Sequence, residues 1–138
     1  MVKSFLEYIE FEKRYSKHTL SSYSLDLTQA TEFMEEVYGV ELSKAEYSMI
    51  RSWVVNLLES DISARSVNRK VTSLRSYFKY LKINEEIEVN PMTKILALKT
   101  SKRLPVFVRK EDISHVFSEV EFPDGFVGER DRLLIELF

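Results

Sequence analysis

Between residues 63 and 82 every charged side chain is a cation: Arg65, Arg69, Lys70, Arg75, Lys79 and Lys82. Ser66, Asn68, Thr72, Ser73 and Ser76 stand among them, and no Asp or Glu interrupts the run. The chemistry open to such a set is recognition of a polyanion, above all double-stranded DNA. Arg and Lys reach phosphates and the edge of guanine, Asn reads adenine, and Ser or Thr donates to phosphate oxygens at close approach. In a chain of net charge -2 this is a local surplus that composition does not require. A solvated helix face that happens to lack acids is the plainer explanation. Surface helices, however, usually interleave Glu with Lys at four-residue spacing, and the absence of any such pair favours nucleic-acid contact.

Two further clusters could extend that surface. Lys13, Arg14, Lys17 and His18 surround Tyr15 and Ser16, with Thr19, Ser21 and Ser22 just beyond. If a helix begins there, its free N–H groups and these side chains make a phosphate-binding corner, although Ser16 and Thr19 suit ordinary capping equally well. Lys99, Lys102 and Arg103 lie in the aperiodic, polar stretch 98–105, which reads as a linker. The candidate DNA contacts are therefore Lys17, His18, Thr19, Ser22, Arg65, Ser66, Asn68, Arg69, Lys70, Thr72, Ser73, Ser76, Lys79, Lys99, Lys102 and Arg103.

Other chemistries find little support. With no Cys there are no disulfides or thiolate metal sites, and the two His, at 18 and 115, are too scattered for zinc. No metal, cofactor or small-molecule substrate is expected. No run approaches the roughly 20 apolar residues of a membrane span, and the N-terminus lacks a signal-peptide pattern, which points to a cytoplasmic protein. Acids gather elsewhere, at Glu32, Glu35, Glu36, Glu41 and Glu46 and again at Glu85, Glu86 and Glu88.

The elements that must position the cations are helices. Val67, Val71, Leu74, Phe78 and Leu81 recur at steps of four and three, one stripe of a helix with about 3.6 residues per turn, and Ser63 is its cap. Opposite that stripe fall Arg65, Asn68, Arg69, Thr72, Ser76 and Lys79, with Lys70, Arg75 and Lys82 flanking it. Upstream, Phe5, Tyr8 and Ile9 mark a short first helix within 2–13. Leu20, Tyr23, Leu27, Ala30, Met34 and Val37 mark a second over about 17–38, capped by Ser16 and stopped by Gly39. Ser43 with Glu46 has the capping-box pattern for a third helix over about 44–59, whose stripe is Tyr47, Ile50, Val54 and Leu57, with Trp53 beside it as core. A helical turn at 92–97 follows Asn90-Pro91. Segments 110–120 and 129–138 are apolar-patterned, and the second ends on Leu137-Phe138 with no partner left in sequence, so a truncated second domain is expected. Only three Gly and three Pro agree with an all-α fold.

Several of these stretches together resemble the N-terminal half of a tyrosine recombinase of the bacterial Xer or phage-integrase type. They are Tyr15 to Tyr23 followed by Asp26-Leu27, Ser66 to Phe78 with Leu81, Asn90-Pro91, Lys102 to Pro105, and Arg130-Asp131 with its apolar run. The resemblance implies a SAM-like core-binding domain of four helices at 1–97, whose second and fourth helices lie against the major groove. It implies a linker at 98–105 crossing the DNA, the truncated start of a catalytic domain at 106–138, and further recombinase protomers as partners. The family cleaves DNA with a tyrosine nucleophile, the phosphate being stabilised by arginines, a lysine and histidines, without a metal. None of those residues has a counterpart here, and the seven tyrosines, 8, 15, 23, 38, 47, 77 and 80, do not match the nucleophile. The chain is thus expected to bind DNA without cutting it. A standalone helical DNA-binding protein and a helical protein-interaction domain with an acidic partner stand as alternatives.

Overall fold

The computed structural model describes residues 1–100 and 119–137. Two compact units, Met1–Ser101 and Lys102–Phe138, are distinguished. Lys102, Arg103 and most of the 110–120 segment lie outside the described residues.

In the first unit, α1 (Val2–Glu7) continues into a wider π turn at Tyr8–Glu12, and together they bury Phe5 and Ile9. Helix α2 (Lys17–Tyr38) starts where Ser16 Oγ accepts from the Thr19 N–H at 3.3 Å, a local N-cap. It stops at Gly39, whose φ of 65° lets the Gly39 N–H donate to Glu35 and the Val40 N–H to Met34, closing off its last carbonyls.

The start of α3 (Tyr47–Glu59) corrects the capping-box expectation. Ser43 lies in a 3₁₀ turn at Leu42–Lys44 and its hydroxyl donates to Glu41, while the extended Glu46 precedes the helix without a side-chain cap. The reason is tertiary. Leu42 and Ala45 are both buried, and a 3₁₀ turn followed by extended backbone brings residues three apart to the same side, whereas a cap at Ser43 would have turned Ala45 into the helix.

Helix α4 (Ala64–Ile83) begins at Ser63, whose Oγ accepts from the Ser66 N–H, and all five residues of its predicted stripe are buried. They meet Leu27, Ala30 and Met34 of α2 and Ile50, Trp53 and Leu57 of α3 in one core. Fully burying one such side chain is worth about 1.5–3 kcal/mol, so this stripe fixes which face of α4 is left for solvent. Phe5 closes one end, its ring 5.6 Å from that of Tyr77 and 5.5 Å from that of Tyr80. Two predicted stripe positions lie outside the core: Val37, in the last turn of α2, and Tyr47, at the first residue of α3, are exposed.

After α4 the chain doubles back through a 3₁₀ turn at Pro91–Lys94, slightly ahead of the turn expected at 92–97, with Asn90 Oδ1 accepting from the Met92 N–H. In the second unit, α5 (Phe126–Leu137) begins three residues before the helix read from the sequence. Gly128 lies so close to the Pro123 carbonyl that a Cβ there would sit 1.7 Å from the oxygen. Every regular element among the described residues is helical.

Candidate nucleic-acid interface

Burial of the apolar stripe turns the opposite side of α4 outward, and one edge of it leans on α2. The contacts there run in opposite directions along the two helices. Tyr23 Oη and Ser76 Oγ are 3.4 Å apart, Asp26 meets Ser73, Lys70 and Arg69, and Gln29 accepts from Lys70. The two helices are therefore antiparallel along this seam.

At its centre Asp26 is fully buried. Its Oδ2 accepts from Arg69 Nη1 at 2.7 Å and from Ser73 Oγ at 2.7 Å, and its Oδ1 from Arg69 Nη2 at 2.8 Å and Lys70 Nζ at 3.2 Å. Four donors saturate the carboxylate, which is what a buried charge requires. Two cations against one anion leave a local excess of one positive charge. It is carried outward by Arg69, whose side chain keeps 47% of its exposure, whereas that of Lys70 keeps 7%.

Three of the candidate DNA contacts are engaged within the fold. Lys70 and Ser73 are buried and turned inward to Asp26. Asn68 has its amide occupied by one peptide group: Nδ2 donates to the Leu98 carbonyl at 2.9 Å and Oδ1 accepts from the Leu98 N–H at 2.8 Å. Its edge cannot read adenine while that clasp is closed. The clasp also fixes Leu98, the first residue of the expected linker. With Arg75 donating to the Ile95 carbonyl and Lys82 to that of Glu88, it lays the 88–98 segment back along α4 as a strap.

What remains turned to solvent is a narrower set. Arg65, Arg69, Thr72 and Lys79 are exposed and Ser66 and Ser76 half-buried, with Thr72 Oγ1 bonded to its own helix at the Asn68 carbonyl and Ser66 engaged with the Ser63 cap. Arg65, Arg69, Thr72, Ser76 and Lys79 recur at steps of four and three, a second stripe on α4. Arg65 and Lys79 have no ion pair among the described residues. At the start of α2, Lys17 and His18 are exposed and Thr19 and Ser22 half-buried, and the Thr19 hydroxyl lies 2.9 Å from that of Ser16. That pairing belongs to capping, and it leaves Lys17 and His18 as the available groups of the corner. Lys99 is exposed just beyond the clasp.

Sequence reasoning missed Asp26 as the organiser of this surface. The signal was present: Asp26 stands three residues after Tyr23 and four before Ala30, on the buried stripe of α2, where an acid must find cations. No group of side chains among the described residues is arranged to hold a metal ion, and no helix among them is long and apolar enough to cross a membrane.

The family described as phage integrase, N-terminal SAM-like domain, matches residues 2–85, which holds all of α1 to α4. Tyrosine recombinase XerC of Staphylococcus carnosus (strain TM300) is 35% identical over 135 residues, 98% of this chain and 45% of that relative. Tyrosine recombinase XerC of Oceanobacillus iheyensis is 32% identical over 136 residues, 99% of the chain and 44% of the relative. The protein of the same name from Staphylococcus aureus (strain USA300) is 34% identical over 134 residues, 97% and 44%. The chain thus spans under half the length of these relatives. No solved structure matches.

Proposed function

The chain belongs to the phage integrase N-terminal SAM-like domain family, and from that premise we propose that its first unit grips duplex DNA for a site-specific tyrosine recombinase. The observation that carries this reading is the exposed, acid-free stripe of α4, bordered by α2. From Arg65 to Lys79 it runs about 21 Å at 1.5 Å per residue, more than the roughly 12 Å width of the major groove. Arg65 near one end and Lys79 at the other reach the phosphate walls, and Arg69, Thr72 and Ser76 lie between them over the base edges. Lys17 and His18, at the start of α2, add phosphate contacts alongside. Lys99, exposed just past the Asn68 clasp, adds a phosphate contact at the start of the expected linker, with Lys102 and Arg103 as further backbone contacts of that linker.

In the whole protein this grip would hold one half-site for a catalytic domain and for further protomers of the same kind, in DNA strand exchange in the cytoplasm. The test is binding of duplex DNA by fluorescence anisotropy at increasing salt. Affinity that falls log-linearly with salt is expected, since each phosphate neutralised releases counterions. Absence of binding to any duplex at low salt, with tight binding to an acidic polypeptide, would replace this reading with that of a protein-interaction domain.

A further inference from the structure

This inference rests on the reading of the α2–α4 seam as a DNA-gripping surface. The end-on pairing of Arg69 with Asp26 uses one hydrogen on each Nη. It leaves the Nε–H and the second hydrogen of each Nη, and the Nε side of the guanidinium is itself a planar fork that matches the O6 and N7 atoms of guanine. Asp26 holds this group from behind. It is fully buried, and Ser73 and Lys70 fix it in turn. We propose that Asp26 is a positioning residue that makes Arg69 the sequence-discriminating contact of the domain.

Asp26 preorganises Arg69. A free surface arginine has many rotamers and settles on whichever phosphate is nearest, giving affinity without discrimination. Arg69, tied by two bonds to a fully buried carboxylate, has its outer fork set in one plane at the middle of the stripe, where the proposed docking puts base edges and not phosphates. Arg65 and Lys79 are unbraced and hold the backbone. The sign of the effect separates bracing from simple electrostatics. Removing a negative charge beside a polyanion tightens binding by Coulomb's law alone, whereas removing the brace weakens binding to the preferred sequence.

The experiment takes a duplex selected by the wild-type chain from a randomised pool and compares it with the unselected pool. Asp26→Asn is expected to lower the ratio of the two affinities by about tenfold or more, the scale of one bidentate base contact, while affinity for the unselected pool stays level or rises. Arg69→Lys, which keeps the charge and loses the fork, should collapse the ratio in the same way. Adding Asp26→Asn to Arg69→Ala should lower the ratio no further. Melting followed by circular dichroism establishes that each variant is folded; should Asp26→Asn fail to fold, Asp26→Glu, which keeps the charge and shifts the carboxylate by one methylene, carries the test and should lower the ratio in the same way. The proposal is overturned if the folded variants keep the wild-type ratio, or lose affinity equally for selected and unselected DNA. A wild-type chain that binds duplex but selects no sequence overturns it too and leaves the gripping function standing. A chain that binds no duplex removes both.

Discussion

Replacing Asn68 by Ala opens the strap without touching the core. The side chain makes two hydrogen bonds to the Leu98 peptide, at 2.9 and 2.8 Å, and both are partly buried. A neutral hydrogen bond contributes a net of about 0.5–1.5 kcal/mol, so the pair is worth about 1–2 kcal/mol once partial exposure is allowed for. With RT near 0.6 kcal/mol, that raises the population of the open strap by about 5- to 30-fold. Leu96 is 84% exposed between the anchors at Ile95 and Leu98, and a protease cleaving after it needs several residues on either side to lift off. When opening and closing are fast, the cleavage rate follows the open population, so chymotrypsin should cut Asn68→Ala after Leu96 about 5- to 30-fold faster than wild type. The Asp26 network is untouched, and global unfolding should change far less than cleavage. A cleavage rate equal to that of wild type would mean that the clasp does not hold the strap.

Two further outcomes follow from single positions. Gly39→Ala should cost about 1–2 kcal/mol in urea unfolding, because φ is 65° there and nothing lies within 4 Å of an added Cβ, leaving backbone strain as the cause. Burial, helped by Glu41 and Glu86, pushes the Tyr77 hydroxyl up from 10.0 to about 12. The folded state then holds this proton through a range in which the unfolded chain releases it, so stability is complete below about pH 10. It falls on the order of 1 kcal/mol per pH unit from there to about pH 12. Urea midpoints measured across that range should show the decline, and Tyr77→Phe should lessen it.

The helices were legible because their signals are local. Ser16, Gly39 and Ser63 act on backbone groups within a few residues, and the stripe of α4 is a property of one helix. The capping box at Ser43 misled because burial of Leu42 and Ala45 by other parts of the fold outweighed a local preference. The site was legible only in outline for the same reason. A helical projection assigned Asn68 to the polar face and placed Lys70 on its flank, but their partners stand 30 and 44 residues away. Sequence read one helix at a time counts Lys70 and Ser73 as surface cations and hydroxyls. Only the register of α2 against α4 shows Asp26 drawing both inward and leaving Arg69 at the rim.

If the α4 stripe holds duplex DNA through unpaired cations, the Arg65→Ala, Lys79→Ala double variant removes the two at its ends. Each phosphate contact contributes about 0.9 to the slope of log affinity against log salt, so the double variant should have a slope shallower by about two. Neither side chain is buried or ion-paired among the described residues, and the melting temperature should not change. A double variant whose affinity and salt slope both equal those of wild type would mean that the α4 stripe does not hold DNA.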